Sequence, residues 1–205
     1  MALLSSLLWA GVLDAGLPVK HFLTLHTTLE VASIIVAMLG FGIAWHAYSE
    51  DRPGNIALLG AVLFGTALLD FGHTLSYAGM PEVVTPSGPG KAISFWLPAR
   101  LLVAVGLLVI ALRPWQPLKS PYMRHALMGV VLAYVALVYG VVLFRPDLVP
   151  VLFVPGQGLT PFKVKFEYML VAIYGTAAWL FYRQSRRDVG FNAADLFAAA
   201  AIAGL

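Results

Sequence analysis

Asn55–Met80, NIALLGAVLFGTALLDFGHTLSYAGM, is the stretch on which the reading of this chain turns. Fifteen residues pass without a charge, and then Asp70 and His73 appear inside the same apolar run. As a helix rising 1.5 Å per residue, the stretch is long enough to cross the roughly 30 Å of a bilayer's hydrocarbon core. The rest of the chain is of the same kind: 60% of its 205 residues are hydrophobic and only 11% are charged. Soluble domains carry about 25% charged residues because they need a wetted surface. This chain lacks the polar material to cover a core, and lipid supplies the missing solvent. Five Trp, eight Tyr and twelve Phe suit interfacial belts. With no cysteine, disulfides and thiolate metal sites are excluded. The net charge of +3 is small and forms no nucleic-acid-binding stripe.

Working outward, four more long apolar segments are bounded by Pro, Gly or charge: Val19–Tyr48, Ala92–Leu112, His125–Phe144 and Phe162–Tyr182. A sixth begins near Phe191 and runs to Leu205, where it is expected to lead on towards a further region. Met1–Leu17 is apolar, but it has no basic leader and no small-residue cleavage site, so it is not read as a signal peptide. It is read as a short interfacial helix. The expectation is therefore one all-α, polytopic membrane domain spanning the chain, with five clear spans, a short N-terminal helix and the start of a sixth span. Arg52, Arg113, Lys119, Arg124, Arg183, Arg186 and Arg187 fall on one side, against Lys20, Lys91, Arg145, Lys163 and Lys165 on the other. The positive-inside rule makes the first side cytoplasmic and turns the loops Pro81–Lys91 and Arg145–Pro161 outward.

Ionisable residues inside a span are costly and face a bundle interior or a wet cavity. Here they come in helical pairs: His26/Glu30, Asp70/His73 and Lys163/Glu167, with Trp96/Arg100 alongside. Spacings of three or four put each pair on one helix face, and Tyr77 extends the second of these faces. At helical rise, His26 and Glu30 lie about 10 and 16 Å below the outer end of their segment, and His73 and Asp70 about 10 and 15 Å below Met80. Arg100 lies about 12 Å below Ala92, and Glu167 about 8 Å below Phe162. Four helices thus bring their costly residues to one outer layer. A single such pair is commonly an interhelical fastener, but four at one depth favour a polar, outward-opening pocket. His21, His46 and His125 read as interfacial. Gly40, Gly42, Gly60, Gly65 and Ala61 read as points of close helix contact.

Two imidazoles and two carboxylates, from His26, Glu30, Asp70 and His73, make a nitrogen/oxygen set suited to a divalent transition metal such as Zn, Fe or Mn. Two buried histidines on neighbouring helices are also the axial set of a haem. Without a metal, Arg100 and Lys163 neutralise Glu30, Asp70 and Glu167 around a small polar ligand. No serine elbow, phosphate loop or HExxH motif is present.

Four ordered motifs, LHTTLEVASIIVAMLGFGIAWHA (25–47), ALLDFGHTLSYAGMP (67–81), FWLPARLL (95–102) and GLTPFKVKFEYML (158–170), resemble the membrane-associated sensor family of the third type. The resemblance covers about Phe22 to Arg187. It implies an integral sensory module of the bacterial inner membrane, placed ahead of a histidine kinase, diguanylate cyclase or PAS region, and not itself an enzyme. Carried over position by position, the family's marked residues fall on His26, Glu30, Asp70, His73, Tyr77, Trp96, Arg100, Thr160, Pro161, Lys163, Glu167 and Tyr168. Val103 stands where many relatives carry an acidic residue, and the first apolar segment is shorter than the family's usual one. The partners this reading implies are the lipid bilayer, the chain's own C-terminal cytoplasmic output domain and a second copy in a homodimer. The competing readings are a membrane metal-dependent hydrolase and a small transporter. The nearly uncharged inner halves of the helices argue against the transporter.

Overall fold

The computed structural model describes residues 22–186 and 193–203, and helices account for about three quarters of them. In chain order these are α1 (Phe22–Ala47), α2 (Gly54–Ser76), α3 (Pro89–Leu112), α4 (Tyr122–Phe144), α5 (Pro161–Ser185) and α6 (Ala193–Ala203). The short helix expected over Met1–Leu17, together with Lys20, His21, Arg187 and the first two residues of the last segment, lies outside the described residues. Proline sets several helix starts: Pro53 and Pro121 immediately precede α2 and α4, and Pro89 and Pro161 occupy the first turns of α3 and α5. A first-turn proline gives up no intrahelical bond and has its φ already set for a helix.

By length and apolarity, α1 to α4 can each cross a membrane. The expected count of five or six spans is therefore left at four among the described residues. α5 has the length, at 25 residues, but Lys163, Lys165, Glu167 and Arg183 interrupt its apolarity. α6 is described over 11 residues only. The second segment also ends sooner than Met80. Ser76 is the last helical residue, and Tyr77 is its extended cap with φ −65° and ψ 151°.

α2 is the centre of the bundle. It packs on α1, α3 and α4, while α5 lies against α3 and α6 against α5. In the most apolar part of α2, 72% of residues are buried, against 6% in α1 and 22% in α4. One core joins α2, α3, α5 and α6 through Val62, Leu107, Ile110, Tyr174, Phe181 and Leu196. A second joins α2, α3 and α4 through Leu69, Phe95, Val135 and Val138. In lipid, apolar burial does not itself drive helices together, so close packing of small residues has to. Ala57, Ala61, Ala99, Ala104 and Ala177 are fully buried. A Cβ on Gly106 would sit 2.6 Å from Val62, and one on Gly40 2.9 Å from Leu63. Gly42, expected to do the same, meets nothing within 4 Å.

The two long loops of one bundle end are ordered by their own backbone bonds. In the α2–α3 loop, Lys91 Nζ donates to the carbonyls of Val83 and Thr85 at 2.7 and 2.8 Å. Between α4 and α5 runs a 3-10 turn (Pro146–Leu148), then two two-residue strands, β1 (Phe153–Val154) and β2 (Gly158–Leu159). They pair antiparallel with Phe153 opposite Leu159. At the start of that loop Arg145 forks onto both carboxylate oxygens of Asp147, holding its carboxyl below the usual range.

Gly106→Leu forces α2 and α3 apart and should cost about 1–3 kcal/mol, the usual penalty for overpacking. Gly140→Leu, where a Cβ meets nothing within 4 Å, should be near neutral. Thermal unfolding in detergent distinguishes the two.

Candidate functional site: a polar layer across four helices

His26 and Glu30 stand one turn apart on α1, and His73 faces them from α2. One nitrogen of each imidazole and one Glu30 oxygen all lie within 4.8 Å of one another. The two imidazoles meet edge to face at 5.7 Å between centroids. Tyr77, although past the end of α2, lays its ring 4.1 Å from that of His26. His73 is buried, and its Nδ1 contacts the carbonyl oxygen of Ala92 on α3 at 2.8 Å. A carbonyl can only accept, so Nδ1 carries the proton. In the neutral ring, Nε2 then presents its lone pair.

Asp70 is separated from this group. Its carboxylate accepts from Arg100 Nη2 of α3 at 2.6 Å, and the aspartate is only 2% exposed. Of the four residues expected as a ligand set, the structure brings His26, Glu30 and His73 together and pairs Asp70 with Arg100 instead. Asp70 shares the helix face of His73, but a guanidinium on the neighbouring helix takes it first. The next link runs to α5. Arg100 and Lys163 both lie over the Trp96 ring, at 5.8 and 5.5 Å, and Lys163 pairs with Glu167 one turn on. Arg100 and Lys163 thus each neutralise a carboxylate, as expected, but neither reaches Glu30.

Tyr168 does not join the layer. It follows Glu167 by one residue, about 100° round the helix, and is 72% exposed. Thr160 and Pro161 build the start of α5: the Thr160 hydroxyl accepts from the Lys163 amide and donates to the Val151 carbonyl. Two surface grooves lie elsewhere. One is lined by Leu23, Thr24, Thr27, Thr28 and Val31 of α1. The other lies between the α1 end and α4, around Tyr48, Glu50, Arg124 and His125.

Several polar contacts around the layer were not legible in sequence. Tyr134 and Tyr139 on α4 donate to the carbonyls of Pro98 and Leu68, at 3.0 and 2.6 Å. Tyr174 donates to the Arg100 carbonyl at 3.0 Å; its place two turns beyond Glu167 was the available signal. Farther along the bundle, buried Asn55 donates to Ile110 O, and Gln184 joins the Ala111 carbonyl to the Trp115 indole. A lone Asn beginning an apolar run is a signal of this kind of contact.

A helical bundle with lipid-apolar helices and one ionisable layer threading α1, α2, α3 and α5 belongs to the class of multi-pass membrane proteins. Within that class, residues 17–205 match the MASE3 family, described as a membrane-associated sensor domain, and the chain belongs to that family. No curated protein and no solved structure matches it.

Removing one partner of a buried ion pair strands the other's charge. Arg100→Met should therefore destabilise the bundle by about 3 kcal/mol, and adding Asp70→Asn should recover most of that loss. Equilibrium unfolding of the two single variants and the double measures the cycle.

Proposed function

We propose that this chain is the sensory input module of a bacterial inner-membrane signalling protein. A small ligand or metal ion from the outer side is bound in the polar layer, and the resulting helix rearrangement passes to a cytoplasmic output domain of the kinase or cyclase kind. The observation that carries the reading is the polar layer shared by four helices: His26 against His73, Asp70 paired with Arg100, and Arg100 and Lys163 over Trp96. In this reading α5 crosses the membrane as the fifth span, its charged first turn at the outer surface, and α6 begins the path to the output region. Family membership favours a sensor over a hydrolase, because the family is a sensor domain and not a catalytic one. Haem is disfavoured by the packing. A macrocycle needs a flat slot between its axial histidines, and here the Glu30 carboxylate lies within 4.8 Å of both imidazoles.

A ligand moves a conformational equilibrium only by contacting its two states differently. His26 and Glu30 sit on α1, which buries little of itself, and the other site residues on α5 and the more deeply buried α2 and α3. Binding that draws α1 inward changes the load on α3, and α3 is fastened to α5 by Tyr174 and by Gln184. Kinase and cyclase outputs act in pairs, so the signalling unit is proposed as a homodimer.

In the full-length protein, His73→Ala should abolish regulated output while membrane insertion persists; regulation that survives the change defeats the proposal. Gln184→Ala should leave binding at the layer intact and weaken the output response, read as the ratio of stimulated to basal activity.

A further inference from the structure

We infer that His26, Glu30 and His73 bind one divalent first-row transition-metal ion in a site with at least one open coordination position. For its signalling consequence this rests on the sensory reading above; as a binding site it stands on its own geometry.

The donor set comes first. Two imidazoles and one carboxylate suit borderline ions such as Zn²⁺, Co²⁺, Ni²⁺ or Fe²⁺, whereas Mg²⁺ and Ca²⁺ prefer all-oxygen cages. The spacing agrees. Tetrahedral ligands on bonds of about 2.1 Å stand about 3.4 Å apart, and the three donor atoms already converge to within 4.8 Å from two different helices. Closing the rest falls to His26 and Glu30, which are half-buried on α1, while His73 is fully buried and fixed.

The surrounding bonds orient the ligand. Metal-binding histidines nearly always donate their second ring N–H to a carbonyl or carboxylate, which fixes the tautomer and aims the lone pair. His73 makes that bond to Ala92 O at 2.8 Å. Charge points the same way. Asp70 and Glu167 have Arg100 and Lys163 as counter-ions, but among the described residues no Lys or Arg forms an ion pair with Glu30. A carboxylate in a lipid-embedded layer with no Lys or Arg counter-ion among the described residues is costly, and a bound cation compensates it.

Three protein ligands leave a position for water or an incoming donor molecule, the arrangement of reactive rather than purely structural metal sites. Because two ligands come from α1 and the third is tied to α3 through Ala92, an ion here fastens α1 to the rest of the bundle.

The test uses the tag-free chain in lipid nanodiscs, titrated with Co²⁺ and then Zn²⁺. The expected result is one saturable equivalent of Co²⁺, seen by its visible d–d bands and displaced by Zn²⁺, with elemental analysis confirming one ion per chain. His26→Ala, His73→Ala and the isosteric Glu30→Gln should each weaken binding at least tenfold, the scale on which even outer-shell partners act. His46→Ala and His125→Ala should leave it unchanged. Glu30→Gln preserves shape, so it serves if a histidine variant fails to fold. No saturable band, or a band that persists in a folded Glu30→Gln or His26→Ala variant, overturns the inference. Metal binding without any change in output of the full-length protein would instead defeat the sensory reading and leave the site standing. Output that depends on His73 in a chain that binds no Co²⁺ would do the reverse.

Discussion

A carboxylate held against a guanidinium inside an apolar bundle is the constraint from which the rest of this molecule follows. Lipid offers neither Asp70 nor Arg100 a hydration shell, so neither tolerates losing the other. The pair fixes the register of α2 against α3. That register also puts His73 at the carbonyl of Ala92. Shifting α2 by one turn along α3 would break both relations at once. The neighbouring tyrosines reinforce the same register, for the carbonyls they bind, Leu68, Pro98 and Arg100, lie within one turn of the pair.

The all-helical membrane class was legible because composition and segment length are properties of the whole chain, and no packing detail can reverse them. The polar layer was legible for a related reason. Charges in lipid are too costly to scatter, so helical rise alone placed His26, Asp70, Arg100 and Glu167 near one level. What sequence could not supply was the choice of partner. Asp70 lies on the face of His73 and counted equally well as a ligand, and only the position of α3 assigns it to Arg100. Tyr168 sits beside Glu167 in the family motif, yet one step along a helix turns it to the outside. The span count stays at four among the described residues because, at α5, the residues that make it part of the layer also lower its apolarity.

Two kinds of contact divide the bundle. Near the loops at one end, α1, α2, α3 and α5 meet through charged and aromatic groups. Towards the other end, α3 and α5 meet through the neutral Gln184 contact and through a tightly packed core containing Leu107, Ile110 and Phe181. In the proposed sensory reading, a rearrangement begun in the polar layer would travel along this closely packed pair of helices.

The contrast between α2 and α1 has a consequence for how such a chain changes over generations. Nearly every position on α2 touches another helix, so most substitutions there disturb a neighbour. On α1, Ile35, Val36, Leu39 and Ile43 project outward, and one apolar residue replaces another there without disturbing a neighbouring helix. Drift should thus run freely along the outward face of α1, halting at His26, Glu30 and the positions such as Gly40 and Ala44 that meet α2. Kinship within this family would then be written as a few fixed letters in a helix whose outward-facing text is free to vary.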